Sequence, residues 1–136
     1  MELDNKQKIL IAIYTEYQKD IPKMDSIISI LRQQIDIKVI KVALGKLEDE
    51  GYIFGFWDKP KSPGSSDRFI HRTFRFLKIT REGIAYVEQK LSISATLSNK
   101  EKVESVVKNT AGWGWEQIKD IGIKVSSEIV KASIGL

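Results

Sequence analysis

Side chains that could carry out catalysis are few in this sequence. Its 136 residues include no cysteine and one histidine, His71, which excludes disulfides, cysteine nucleophiles and the usual zinc ligand sets. The carboxylates Glu48, Asp49 and Glu50 are consecutive on a predicted helix, so they point in different directions rather than converging. We therefore expect no catalytic residue, no metal site and no cofactor, and we expect the protein not to be an enzyme.

Two glycine-containing segments match phosphate-binding motifs only in part. Gly112-Trp113-Gly114 begins like a dinucleotide-binding fingerprint, but Gln117 stands at the third glycine position and no predicted strand precedes it. The segment from Ser62 to Ser66 contains Pro, Gly and Ser but lacks the Gly-Lys pair of a phosphate-binding loop. Neither segment predicts a nucleotide site.

Basic residues are concentrated between Trp57 and Arg81. Seven basic and two acidic residues give this segment a net charge of +5, against +4 for the whole chain. We expect its loop to follow the phosphate backbone of duplex DNA. The predicted DNA contacts in this segment are Lys59, Lys61, Arg68, Arg72 and Arg75. An alternative is that Arg72, Arg75 and Lys78 are solvated strand residues paired with local carboxylates.

A second group of basic residues lies on the helix predicted to follow Asp36. Its outward positions include Lys38, Lys41, Val42 and Lys46, which we predict to contact DNA. Lysine suits phosphates, but this face has no Arg, Asn, Gln or Ser, the side chains that usually discriminate bases. The pattern indicates affinity for the backbone with limited base reading, or a partner other than DNA.

Three helices are predicted in the first fifty residues. Residues 5–19 have apolar side chains at helical spacing, with Asp4 or Asn5 as N-cap and Glu16 on the solvent side. A short second helix is predicted to begin after a cap at Asp25 or Ser26 and to end near residue 34. The third is capped by Asp36, ends at Gly51 and has one apolar face, formed by Ile40, Ala43, Leu44 and Leu47.

Two strands and a fourth helix are predicted next. Residues 52–57 are aromatic and β-branched, and residues 69–79 alternate in polarity until Leu77, as strands do. The Pro-, Gly- and Ser-containing segment 58–68 is a predicted loop between them. Thr80 is the predicted cap of the fourth helix, with Tyr86, Val87 and Leu91 inward. These elements predict a mainly α fold with a small antiparallel β-hairpin.

This order of elements resembles a winged helix-turn-helix domain, most clearly at two junctions. Residues Ala43 to Ile53 resemble the junction between recognition helix and first wing strand in bacterial winged-helix regulators. Residues Ile79 to Val87 resemble the Leu-Thr-x-x-Gly turn that follows the wing. Over residues 5–91 the chain is similar to the YjcQ-like winged-helix proteins of bacteria and their phages.

The resemblance implies a winged helix-turn-helix domain over residues 1–92. The function that we expect from it is DNA binding, in a transcriptional regulator of a phage or mobile element. The alternative is a protein-interaction module that docks through the winged helix. The acidic start, the lack of cysteine and the absence of a long apolar run predict a cytoplasmic protein.

Residues 93–136 are predicted to form a helical arm joined by a linker at about residues 92–98. The helix from Trp115 to about Ser133 carries an apolar stripe of Ile118, Ile121, Val125 and Ile129. We predict that a second copy of the chain covers the stripe, making the protein a homo-oligomer. The alternatives are packing on its own domain and, least favoured because the charges are mixed, an interfacial membrane helix anchored by Trp113 and Trp115.

Overall fold

The structure, a computed structural model, describes residues 2–56 and 74–133. These residues form six helices and one two-stranded sheet, which are α1 (Asn5–Tyr17), α2 (Met24–Leu31), α3 (Ile37–Asp49), β1 (Ile53–Phe54), β2 (Lys78–Ile79), α4 (Arg81–Lys90), α5 (Asn99–Asn109) and α6 (Gln117–Ser133). The strands are antiparallel, with Ile53 opposite Ile79. The predicted fold class is confirmed. None of the described helices has the length and apolar character needed to cross a membrane.

Local capping determines where α1 and α3 begin. The Asp4 carboxylate accepts a hydrogen bond from the Gln7 backbone N–H at 2.8 Å, and the Gln7 side chain accepts one from the Asp4 N–H at 3.0 Å. The Asp36 carboxylate accepts from the Lys38 N–H at 2.7 Å. After α3, Gly51 has φ = +82°, a left-handed conformation that glycine adopts without a Cβ penalty. The predicted caps at Asp4 and Asp36 and the stop at Gly51 are confirmed.

The two junctions that resemble a winged helix contact each other directly. The Thr80 hydroxyl donates to the Gly51 carbonyl at 2.6 Å and accepts from the Gly83 N–H at 3.0 Å. The Thr80 N–H donates to the Tyr52 carbonyl at 2.9 Å. A single threonine therefore caps α4, as predicted, and also fixes that helix against the turn that leaves α3.

Gly83 allows this close approach of α4 to the turn, which leads to a prediction. A Cβ at Gly83 would lie 2.2 Å from the Tyr52 carbonyl oxygen, whereas a Cβ at Gly45, within α3, would have no neighbour within 4 Å. We expect Gly83→Ala to lower the free energy of unfolding by about 1–3 kcal/mol, as overpacking does. Gly45→Ala should raise it by about 0.5–1 kcal/mol, because alanine favours a helix. Urea unfolding of both variants measures this; equal effects would contradict the contact.

The start of α2 differs from the prediction. The helix begins at Met24, so Asp25 and Ser26 lie within it rather than before it, and Lys23 occupies the N-cap without a side-chain cap. The entry to the helix is held from outside, because the Glu16 carboxylate of α1 accepts a hydrogen bond from the Lys23 backbone N–H at 2.8 Å. A carboxylate on another helix thus replaces the local side-chain cap that the sequence predicted.

The predicted second strand is wrong over most of its described part. Of residues 69–79, the structure describes 74–79, and only Lys78–Ile79 is a strand. Phe74 is helical and buried, with its ring 6.1 Å from the Phe56 ring, whereas Phe76 is 67% exposed. A strand would put both phenylalanines on one face, so the helical turn is what buries one ring and leaves the other in solvent.

Helix α1 forms the centre of the molecule. Every residue of Ile9–Glu16 is buried, and the helix contacts all five other described helices and β2. The prediction that Glu16 lies on the solvent side is therefore wrong: Glu16 is 2% exposed, whereas the aromatic Tyr17 next to it is 43% exposed. A helix that is packed on all sides has no polar face. The spacing of its apolar residues therefore predicted one buried side and missed the others.

The C-terminal arm packs on its own chain. Ile118, Ile121 and Val125 are 2%, 1% and 1% exposed, and Ile129 is partly buried against the same hydrophobic cluster. Helix α6 lies on α1 and α5, so the stripe is covered without a second copy. The predicted role of these residues in oligomerisation is therefore wrong, while the homo-oligomer itself stays a prediction.

The predicted linker at residues 92–98 is also part of the packed structure. Ile93 is 6% exposed and belongs to the hydrophobic cluster, and the Asn109 side-chain amide donates to the Leu91 carbonyl at 2.7 Å. Ser98 then caps α5 through a capping box with Glu101. These contacts hold α5 beside the end of α4. The segment that was predicted to be a linker therefore does not separate the arm from the rest of the chain.

A buried polar network joins α1 to α4 and α5. The Tyr14 hydroxyl donates to the Glu88 carboxylate at 2.8 Å, and the same carboxylate oxygen lies 2.9 Å from the Lys102 ammonium. Burial, together with the hydrogen bond to Glu88, raises the pKa of Tyr14. The three side chains fix the arm to α1 and α4 by a specific contact as well as by apolar packing.

Candidate nucleic-acid interface

The outward face of α3 is basic and apolar. Its inward side chains, which were predicted correctly, are buried, so the remaining positions of the first three turns face solvent. Lys38 and Lys46 are exposed and Lys41 is half-buried, while Val39 and Val42 are 41% and 57% exposed. No acidic residue occurs on α3 before its last two residues. The predicted DNA contacts on this helix therefore share one surface, which we call the α3 face.

Within residues 2–56 and 74–133, the lysines of the α3 face are not neutralised by neighbouring carboxylates. In the part of the chain that the structure describes, no carboxylate forms an ion pair with Lys38, Lys41 or Lys46. Lysines elsewhere do pair, as Lys100 does with Glu104 and Lys119 with Glu116. The α3 face thus presents positive charge that is free to meet an external anion.

Three of the four carboxylates nearest to this surface in sequence are engaged in the fold, and the fourth, Asp49, is exposed at the end of α3. Asp36 caps α3 through the Lys38 N–H, and Glu48 accepts from the Phe56 backbone N–H at 3.2 Å. Glu50 pairs with Lys6 at 2.9 Å. Glu48 and Glu50 thus hold two different parts of the chain, which agrees with the prediction that these carboxylates do not converge.

The N-terminus of α1 contributes residues that the sequence analysis missed. Asp4, Asn5 and Lys6 line a shallow groove whose opposite wall is the α3 face. The hydrogen bond with Glu50 raises the pKa of Lys6, so this ammonium is charged but already paired. Asn5 is exposed in the groove and brings a carboxamide to a face that has none of its own. Only the contact between α1 and α3 could reveal this proximity.

The predicted wing falls mostly outside the described residues. The structure does not describe Lys59, Lys61, Arg68, His71 or Arg72. The DNA contacts predicted for the four basic residues among them therefore stay predictions. Arg75 is described: its side chain is 70% exposed and lies 4.0 Å from the Asp25 carboxylate, a loose pair.

Lys78 also belongs to the basic segment, and its ammonium lies 6.0 Å above the Phe54 ring. Both Arg75 and Lys78 are exposed beside the two-stranded sheet from which the basic segment departs. The described residues hold no cluster of three or more side chains of the types that ligate metals.

Comparisons with family models, curated proteins and solved structures find no match to this chain. The resemblance to YjcQ-like winged-helix proteins therefore stays a prediction. The function has to be inferred from the α3 face itself.

Proposed function

We propose that this protein is a non-enzymatic winged-helix protein that binds duplex DNA and acts as a transcriptional regulator. The observation that carries the proposal is the α3 face, where Lys38, Lys41 and Lys46 form no ion pair with any carboxylate of the described residues, on a helix that we assign as the recognition helix. Ammonium groups spaced along one helix can bind the phosphates that border the major groove when the helix lies in that groove. The basic segment between Trp57 and Arg81 would add contacts to the backbone on one side.

The order of elements supports this use of α3. In a helix-turn-helix protein the second helix of the motif lies in the major groove while the first crosses the backbone. Here α2 and α3 are joined by a short turn, and the α3 face is directed away from the hydrophobic core. A major groove about 12 Å wide accepts one helix of this kind. The Lys residues would then reach the phosphates that border the groove.

The proposal predicts that the α3 lysines supply salt-dependent affinity. Changing Lys38, Lys41 and Lys46 together to Ala should weaken binding to random duplex DNA by on the order of 10²-fold at low salt. The slope of log affinity against log salt should flatten by roughly one unit per lost phosphate contact. Fluorescence anisotropy with a labelled duplex, measured between low and physiological salt, gives both quantities.

A matched control removes the same charge elsewhere. Changing Lys100, Lys119 and Lys124 to Ala also lowers the net charge by three, but these exposed residues lie on α5 and α6. We expect this variant to keep nearly the affinity and slope of the original protein. Equal losses in both variants would mean that overall charge, not the α3 face, attracts DNA.

Failure to bind duplex DNA even at low salt would overturn the proposed function. The protein-interaction module would then be the better function, and one surface favours it. Ile123 on α6 is 70% exposed at the edge of an apolar groove between α5 and α6. A large aliphatic side chain so placed is typical of a contact with another protein.

A further inference from the structure

Two valines are exposed on the outward side of α3, beside the lysines of the α3 face. Val39 and Val42 are 41% and 57% exposed and lie one helical turn apart, with Lys38 and Lys46 beside them. Valine is a poorer helix former than lysine or glutamate, so helix propensity does not favour it at exposed positions. The valines also lie outside the hydrophobic core, and thus neither the stability of the helix nor the packing of the fold accounts for them.

The charge around the valines identifies the kind of surface that they can meet. The α3 face is cationic, so its complement is a polyanion that also offers apolar atoms at its centre. The major groove of duplex DNA combines these features, because phosphates border it and the C5-methyl groups of thymine project into it. If the lysines contact the phosphates that border the groove, the valines beside them can reach the base edges.

We infer that Val39 and Val42 read A·T base pairs through the thymine methyl groups. The inference rests on the proposed function, because it specifies which DNA the α3 face prefers. A valine side chain neither donates nor accepts hydrogen bonds. Against a G·C pair it would bury the guanine O6 and N7 acceptors or the cytosine amino group without a partner, which is unfavourable. Against thymine it covers a methyl group and removes apolar surface from water.

Asn5, on the other wall of the groove, suits the same kind of base pair. It is exposed beside the two valines. A carboxamide can donate to adenine N7 and accept from the adenine amino group, the usual pairing of Asn with this base. An A·T pair thus offers a complement to both kinds of side chain: a methyl group for the valines and a donor–acceptor edge for the amide. Recognition of adenine through a pair of hydrogen bonds, which no side chain of the α3 face offers, becomes available where α1 and α3 meet.

The test removes the methyl groups of the DNA without changing its hydrogen-bonding edges. Affinities are measured for an A·T-rich duplex and for the same duplex with deoxyuridine in place of every thymidine. Burial of one methyl group corresponds to about a fourfold change in affinity, so two contacted methyls should give roughly a 10- to 20-fold loss in the uracil duplex. A G·C-rich duplex should bind weakly, and 5-methylcytosine in it should restore part of the affinity, since the methyl group occupies the same groove.

The variant Val39→Ala/Val42→Ala completes the cycle. It should bind the thymine and uracil duplexes equally and keep the salt slope of the original protein, because the lysines are unchanged. Discrimination that persists in this variant would overturn the assignment to the valines.

The inference and the proposed function fail in different ways. If the α3 lysine variant loses affinity but thymine and uracil duplexes bind equally to the original protein, DNA binding stands and the reading of thymine is wrong. If no duplex is bound at any salt concentration, both are wrong. A melting temperature close to that of the original protein shows that each variant is folded.

Discussion

A chain that ends before Trp113 is expected to lose its stable fold. The deletion removes Trp115, Ile118, Ile121 and Val125, which are at most 5% exposed, and uncovers the side of α1 on which they pack. Each such side chain contributes about 1.5–3 kcal/mol when buried. Four of them together rival the roughly 5–15 kcal/mol by which a whole domain is stable. We expect aggregation or a partly unfolded chain rather than a folded monomer.

The truncation is measured by circular dichroism and light scattering on both chains, and two point variants give a matched control. Ile121→Ala should lower the free energy of unfolding by about 2–5 kcal/mol, because its side chain is 1% exposed. Ile123→Ala, two residues further on the same helix, removes a side chain that is 70% exposed and should change it by less than about 0.5 kcal/mol. A soluble, cooperatively melting truncated chain would show that the arm is dispensable.

Among the single replacements of a charged residue that we consider, Lys19→Met should lower the free energy of unfolding most. The Lys19 side chain is 7% exposed and pairs with Glu16 at 2.8 Å and with Glu128 of α6. Glu16 also accepts the Lys23 N–H, which holds the entry to α2. Without the ammonium group, the Glu16 carboxylate is left buried and without a countercharge. Breaking a buried pair in this way costs about 3–5 kcal/mol.

The pH dependence of this loss follows from the pKa shifts of the two partners. Burial lowers the pKa of Lys19, but hydrogen bonds with Glu128 and Glu16 outweigh burial and hold it above its ordinary 10.5. The hydrogen bond from Lys19 lowers the pKa of Glu128 below its ordinary 4.5. The stabilisation is therefore fully present between about pH 4.5 and 10.5, and it is lost as pH falls through the Glu128 value or rises through the Lys19 value.

Urea unfolding of the original protein and Lys19→Met at several pH values tests both statements. The difference between them should be constant in the neutral range and shrink at acid and alkaline pH. Lys119→Met is the control, because Lys119 pairs with Glu116 at 3.1 Å with both side chains more than half exposed. An exposed pair contributes about 0–1 kcal/mol. Similar losses in the two variants would contradict the burial of the Lys19 cluster.

The sequence determined the features whose causes lie within a few residues. Asp4, Asp36 and Thr80 cap helices because their side chains reach backbone N–H groups two or three residues ahead. The buried face of α3 follows from the 3.6-residue period, and once that face is known the outward lysines follow too. Most of the α3 face could thus be predicted without a structure.

The candidate site also contains a residue that no local pattern could place there. Asn5 lies more than thirty positions before Val39 and reaches the groove only because α1 packs on α3. Local sequence likewise misplaced Phe74, which lies in a helical turn with its ring packed against Phe56. In both cases the deciding contact joins segments that are distant in sequence, and periodicity within a segment carries no information about its partner.

The tertiary structure alone decided what covers the arm and the centre of the molecule. The spacing of Ile118, Ile121 and Val125 required a partner surface but fitted a second copy and the chain's own core equally well. Packing of α6 on α1 resolves the choice, and it also buries Glu16, a residue that periodicity had placed in solvent. A carboxylate is stable there because Lys19 and the Lys23 N–H meet it. An amphipathic pattern predicts which side of a helix must be buried. Which surface covers that side is determined only by the packing of the helices in the folded protein.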